Sequence, residues 1–230
     1  FEITRPEIYY GELTTNFAVV NTTTTEFDYP KGDENVYTIY QGSGGIDIGS
    51  SFRKALFAVR FNSFKLFVSK SLKKESKILI NRDILTRVET VAPFMSYDRD
   101  PYIVLSEGKL FWILDGYTVS NKFPYSEPFK DINYLRNSVK VVVDAYNGDL
   151  TFYVIDTQDP LIVTYMKIFP NLFKPYESMS KDLQTHIRYP EDLFSVQVEK
   201  YRTYHMNDPR VFYNKEDVWD VPNELYEGNR

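Results

Sequence analysis

The chain of 230 residues carries a net charge of −5 and no cysteine. The acidic balance argues against a nucleic-acid partner, which needs a basic footprint to displace counterions. The missing thiols exclude disulfides, thiolate zinc sites, iron–sulfur centres and cysteine nucleophiles.

A chain this long buries roughly 70% of the surface its unfolded form exposes, so it folds without a covalent staple and suits one domain. Residues 1–47 read as strands and turns. Glu7–Leu13, Asn16–Asn21 and Val36–Tyr40 are β-prone, and Tyr29-Pro30-Lys31-Gly32-Asp33 is turn chemistry. Residues 49–92 read as helical. Ser50-Ser51 is an N-cap, and Phe52, Ala55, Leu56 and Val59 then recur at helical spacing with Arg53, Lys54 and Arg60 turned elsewhere. Two more helices are expected over about 63–70 and 83–91, the latter stopped before Pro93. Lys70, Lys73, Lys74 and Lys77 form the densest basic cluster and read as a solvated helix face.

Residues 100–156 are the clearest β region, rich in Val, Ile, Phe, Tyr and Trp. Glu107-Gly108 and Asn147-Gly148 are hairpin signals, and Asn-Gly favours a type I′ turn. Trp112 to Tyr117 echoes Val141 to Tyr146, each an apolar strand ending in Asp-x-Tyr, and a duplication would put Asp115 and Asp144 at matching strand ends. Residues 159–218 read as helical. Asp159-Pro160 supplies an N-cap and an N1 proline. Pro190 opens a helix to about Tyr204, with Leu193, Phe194, Val196, Val198 and Tyr201 on its apolar side, and Asp208-Pro209 opens a last turn. The tail beyond Trp219 is polar. The expected fold is α+β: a largely antiparallel sheet with helices packed on it.

The 19 Tyr and 17 Phe admit two readings. The ordinary one is a core rich in Phe with Tyr at its rim. The sharper one is an exposed aromatic surface for a protein, glycan or lipid headgroup.

The candidate chemistry is sparse. His186 and His205 are the only histidines, and a lone histidine is the usual general base. Neither sits in a nucleophile elbow or a His-Glu-x-x-His helix, and a place at a helix C-terminus, where a cation suits the dipole, accounts for both. Asp98 and Asp100 are weak calcium candidates, since Asp98-Arg99-Asp100 supplies only two acids; turn capping is the ordinary reading. Gly42, Gly44 and Gly45 could cradle an anion before a helix, although the loop lacks the Lys-Ser/Thr of a nucleotide site and a plain connector is simpler. Asp115 and Asp144 are the pair to test for carboxylate hydrolysis. No cofactor is implied.

Taken in order, several strings are distinctive: Arg5-Pro6-Glu7-Ile8-Tyr9-Tyr10-Gly11-Glu12-Leu13, Glu26-Phe27-Asp28-Tyr29-Pro30, Gly42–Ile46, Ala92-Pro93-Phe94, Asp115-Gly116-Tyr117-Thr118, Asn133–Gly148, His186-Ile187-Arg188-Tyr189-Pro190 and Tyr204-His205-Met206-Asn207-Asp208-Pro209. This set, covering nearly the whole chain, resembles the uncharacterised bacterial membrane-protein family numbered 0182 among the unassigned protein families. The resemblance implies several N-terminal transmembrane helices followed by a long soluble region outside the cell, of which this chain would be part. It implies no activity and no catalytic residues.

The chain opens on Phe1 without a signal pattern and contains no apolar run of the roughly 18–20 residues that cross a bilayer, as expected of a fragment cut from such a protein. Three functions are open: a binding or interaction module on the outer face of the membrane, a cell-envelope hydrolase or transferase using carboxylates, or a scaffold for the parent's assembly. The expected partners are its own transmembrane region, a cell-envelope glycan, lipid or protein, or a second copy of itself.

Overall fold

The computed structural model describes residues 3–222; the polar tail lies outside them from residue 223. The elements in chain order begin with β1 (Ala18–Val20), β2 (Glu26–Lys31), β3 (Glu34–Thr38), β4 (Ile46–Asp47), α1 (Ser51–Arg60), α2 (Phe64–Val68), β5 (Lys77–Leu79) and α3 (Ile84–Val91). They continue with β6 (Ser96–Tyr97), β7 (Tyr102–Ser106), β8 (Lys109–Ser120), β9 (Tyr134–Asp144), β10 (Leu150–Val154), α4 (Pro160–Ile168), β11 (Phe173–Pro175), α5 (Lys181–Thr185), α6 (Glu191–Tyr201) and α7 (Pro209–Asn214).

The fold is α+β. Its main sheet runs β11-β10-β9-β8-β6, with β7 beside β6 along the same edge of β8; every pair is antiparallel except β10–β11. The period-2 alternation of β9 sorts its side chains between two covered faces. Val139, Val141 and Val143 point into the larger core with Leu114, Phe152, Val88 and Ile84 of α3 and Ile162 of α4. Val142 points the other way, with Ile113, Tyr153 and Tyr102, under Leu183 of α5. Each fully buried aliphatic side chain of this kind contributes about 1.5–3 kcal/mol.

The helix starts follow local chemistry. Ser50, Asp83 and Asp159 cap α1, α3 and α4 through their side-chain oxygens. A β-bulge between Gly116 and Tyr117 leaves Ser138 as the extra residue of β9, and its hydroxyl donates to the Asp159 carboxylate at 2.6 Å.

Several expectations are corrected. The run Glu7–Leu13 is no strand: Tyr9 and Tyr10 donate their N–H groups to the Ala145 carbonyl, and Gly11 to that of Arg82, so the segment is tied to turns rather than laddered. Within the span expected to be helical, β5 pairs with β1 and β4 in a three-stranded sheet, and α1 and α2 pack on that small sheet rather than on the main one. Of the lysine cluster, Lys70, Lys73 and Lys74 lie in the turns between α2 and β5 and Lys77 opens β5, so none is on a helix. The 159–218 span likewise contains a strand, β11. Asn147-Gly148 does not form the type I′ turn, because among this pair only Gly148 has positive φ; Glu107 and Gly108, at φ 50° and 76°, take that geometry instead.

The aromatic core is also inverted. Among the described residues, seven tyrosines are buried (Tyr9, Tyr10, Tyr40, Tyr102, Tyr117, Tyr146 and Tyr153) but only two phenylalanines, Phe152 and Phe173. Four of the buried tyrosines have polar partners for their hydroxyls: Tyr9 donates to Glu26, Tyr117 donates to Asp98, and Tyr102 and Tyr146 accept from the Arg188 and Gln41 amides, whereas the Tyr40 hydroxyl is buried without one. Eight of the described phenylalanines, Phe52, Phe64 and Phe67 among them, face solvent.

Candidate functional site

The sequence-predicted acids are spent on structure, each in a different way. Asp115 lies mid-strand in β8, opposite Lys140 of β9. Lys140 donates to the Asp115 carboxylate and to the Arg188 carbonyl (2.9 Å), and both side chains are sealed beneath the α5 side of the sheet. Burial pushes the Asp115 carboxyl above the usual carboxylate range, against the opposing pull of the Lys140 ammonium. Asp144 ends β9 and accepts the Tyr146 and Asn147 amides, both at 2.8 Å. Asp144 stands opposite Phe111, four residues before Asp115. The two acids therefore share a face but sit about 13 Å apart along the strands. The sequence echo does not bring them to matching strand ends.

Asp98 is buried and saturated. One oxygen accepts the Asp100 amide at 3.0 Å; the other accepts the Tyr117 hydroxyl at 2.5 Å and the Asp192 amide at 3.0 Å. Asp100 is exposed, and among the described residues no group of three or more His, Asp or Glu side chains is gathered as a metal site. His186 caps the C-terminus of α5. His205 stacks on Trp219 at 3.9 Å and reaches Asp217 at 3.3 Å.

The glycine loop is filled rather than open. A Cβ on Gly44 would stand 2.2 Å from the Asn147 carbonyl oxygen, and one on Gly42 2.3 Å from the Tyr40 ring. Gly45 has φ +90°, and Lys77 donates to the Gly42 and Ser43 carbonyls at 3.3 and 3.2 Å. These glycines let the loop lie against the β9–β10 turn, and its carbonyls face a cation, the opposite of an anion cradle.

What the acids build is a trough. By accepting the Asp192 amide, Asp98 fixes the first turn of α6 to the sheet, and Arg99 clamps the Asp192 carboxylate at 2.8 Å. The Arg99 guanidinium holds that carboxyl below its usual range. The opposite wall is the thirteen-residue β8–β9 connection, residues 121–133. Asn133 braces it by exchanging hydrogen bonds with the Phe123 backbone at 3.0 and 2.8 Å. Between loop and helix lies a hollow of about 720 Å³, floored by Tyr97, Val119, Ile132, Leu135 and Val196. It adjoins a second hollow of about 370 Å³ that shares Phe129, Lys130 and Glu199 and ends at Tyr204 and Phe212. No residue of α6 is fully buried, and Phe194 and Tyr201, expected on its apolar side, are exposed.

An apolar floor with charged rims (Arg99, Lys130, Glu199, Lys200) can bind an amphipathic ligand. None of the floor residues is conspicuous in the sequence except through the length of the 121–133 loop, since long connections in compact domains are usually functional.

Comparison with known proteins agrees with the resemblance in the sequence. The model of a family described as "Uncharacterised protein family (UPF0182)" matches residues 1–230. The chain is 54% identical to a UPF0182 protein of Pelotomaculum thermopropionicum, covering 98% of this chain and 25% of that protein. It is 54% identical to one of Microcystis aeruginosa (97% and 24%) and 50% identical to one of Methanospirillum hungatei (96% and 25%). The chain thus spans about a quarter of the length of the curated relatives it matches. No solved structure matches it.

Proposed function

The chain belongs to the uncharacterised protein family UPF0182, and from that premise we propose that it is a binding domain of a longer, membrane-anchored protein, displayed on the outer face of the cell membrane. The anchoring and the outer-face placement rest on what the family resemblance implies. None of the described helices is long and apolar enough to cross a membrane, so the anchor is assigned to the part of the relatives that lies outside this chain.

The observation that carries the binding role is the trough between the 121–133 loop and α6. Its floor is apolar and open, its rims are charged, and the acids beneath it are engaged in holding its walls. Aromatic and aliphatic faces flanked by carboxylate and guanidinium groups suit an extended ligand with alternating apolar and hydroxyl faces, and a cell-envelope glycan is the first class to try. The carboxylate-hydrolase alternative needs two acids about 5–10 Å apart across a cleft. Asp115 and Asp144 do not offer that spacing, and Asp115 is paired with Lys140.

The test is titration calorimetry with cell-wall glycan fragments on the chain and on Val196→Arg, which fills the trough. Binding to the parent chain and a loss of at least about tenfold in the variant, or about 1.4 kcal/mol, is the expected result. Glycan binding unchanged by Val196→Arg removes the trough from the reading, and silence across the glycan panel removes the ligand class.

A further inference from the structure

Helix α1 is apolar on two opposite sides. At 100° per residue, Phe52, Leu56 and Val59 fall within a roughly 60° arc, and Phe57, Ala58 and Phe61 are centred on the far side. The second trio packs inward against Ile48, Leu66 and Ile78, with Phe61 stacked on Phe17 at 4.4 Å. The first trio, which the sequence pattern offers as the natural core face, points to solvent: Phe52 is 73% exposed and Val59 83%. The next helix adds Phe64, Phe67 and Val68, all exposed. Six large apolar side chains exposed on two successive helices are more than the scattered single residues of an ordinary surface and mark an interaction surface.

The charge around the patch is one-signed. From Ile48 to Lys74 the chain carries Arg53, Lys54, Arg60, Lys65, Lys70, Lys73 and Lys74 and no acid, whereas the whole chain carries −5. All but Lys54 are exposed. Arg53 and Arg60 flank the apolar stripe, and the lysines of the α2–β5 turns, first read as a solvated helix face, follow directly on α2. Arg53 reaches an acid, Asp47, only at 3.9 Å.

We infer that the α1–α2 hairpin docks on an anionic lipid surface, lying in the plane of the headgroups with Phe52, Leu56, Val59, Phe64, Phe67 and Val68 inserted and the six exposed cations against the phosphates. A helix with an aromatic and aliphatic outer face and basic flanks has the composition of an interfacial segment. Each cation near such a surface strengthens the attraction, and the combination selects lipid over free phosphate, which has no use for the apolar stripe. At ten residues, α1 is about 15 Å long, too short to span a bilayer but sufficient to lie on one. The site shares no residue with the α6 trough, so either assignment can fail without the other.

The experiment is co-sedimentation of the 230-residue chain with vesicles of phosphatidylcholine alone and of phosphatidylcholine doped with phosphatidylglycerol, at low and high salt. Two variants accompany it: the triple F52S/L56S/V59S and the double K73E/K74E. The altered side chains are exposed, and unchanged melting temperatures establish that both variants fold. Binding to the phosphatidylglycerol vesicles at least about tenfold tighter than to phosphatidylcholine, weakened by salt and lost by about tenfold or more in each variant, is the expected result. Equal partition between the two vesicles, failure to bind either, or triple-variant binding at the parental level overturns the inference. So does a dimer of the parent chain that the triple variant dissolves without any vesicle binding, which would assign the face to contacts between copies.

Discussion

Lys140 and Asp115 face each other across β8 and β9 with side chains only 2% and 4% exposed, in the middle of the main sheet. A buried ion pair of this kind adds little net stability compared with apolar side chains of the same volume, yet breaking it is costly because the surviving charge is stranded. Lys140→Met is therefore expected to destabilise the chain by about 3–5 kcal/mol. The double variant D115L/K140M should recover most of that loss. Urea unfolding of the three proteins checks this: a single variant no worse than the double would mean that the pair is not sealed from water.

Asp159 carries a heavier structural load than a cap alone. Its fully buried carboxylate accepts the Thr118, Ser138 and Tyr134 hydroxyls at 2.5, 2.6 and 2.7 Å, as well as the Leu161 amide at 3.0 Å. Asp159→Ala removes the α4 cap and leaves buried hydroxyls without an acceptor, at a cost of about 3 kcal/mol or more. Burial acts to raise the Asp159 carboxyl, but the hydroxyls of Ser138, Thr118 and Tyr134 outweigh it and hold the group below the usual range. A depressed folded value means that its stabilisation is complete above the unfolded value, near 4, and is lost as pH falls through the folded one. The acid limb of a pH–melting curve should therefore be shallower in Asp159→Asn than in the parent. Parallel acid limbs would contradict this.

The alkaline limb should be governed by tyrosine. Burial first, and then hydrogen bonds to the Glu26 and Asp98 carboxylates, push Tyr9 and Tyr117 above the usual phenol range; burial also raises Tyr40 and Tyr97. A raised folded value gives stability that is complete below the unfolded value, near 10, and lost as pH rises beyond it. Ultraviolet titration should show these phenols ionising together with loss of structure. Tyr117→Phe should make the alkaline decline less steep, at the cost of leaving Asp98 one donor short. Smooth ionisation of all tyrosines in a chain that stays folded would refute this account.

The sequence disclosed those features whose physics is local. Asp159-Pro160, Ser50 and Asp83 announce helix starts because a cap acts within three residues. The long strands β8 and β9 are legible because their composition is β-prone throughout. The short strands β5 and β11 escaped because their pairing is long-range: Ile78 pairs with Val19 and Ile46, and Phe173 with Phe152. The inward face of α1 was not legible because both sides are apolar, and periodicity finds a stripe without saying what covers it. Among the site candidates, the Asp-x-Tyr echo suggested equivalence, but pairing register decides neighbours, and it sets Asp115 against Lys140 and Asp144 against Phe111. The trough went unseen because its floor is assembled from β6, β8, the 121–133 loop, β9 and α6, with no continuous motif.

The parallel strand β11 sets how the chain behaves at high concentration. It closes the main sheet with three residues, the last of which, Pro175, pairs with Val154. Proline has no amide hydrogen to offer a newcomer, and so short a rim gives an incoming strand little to grip. At the other side of the sheet, β8 is bordered by β7 and by β6, a strand of two residues. A chain with sheet borders of this kind can be handled at high concentration with little tendency to stack into fibres, and precipitation on overexpression would more readily start from the phenylalanines of α1 and α2 than from the backbone of the sheet.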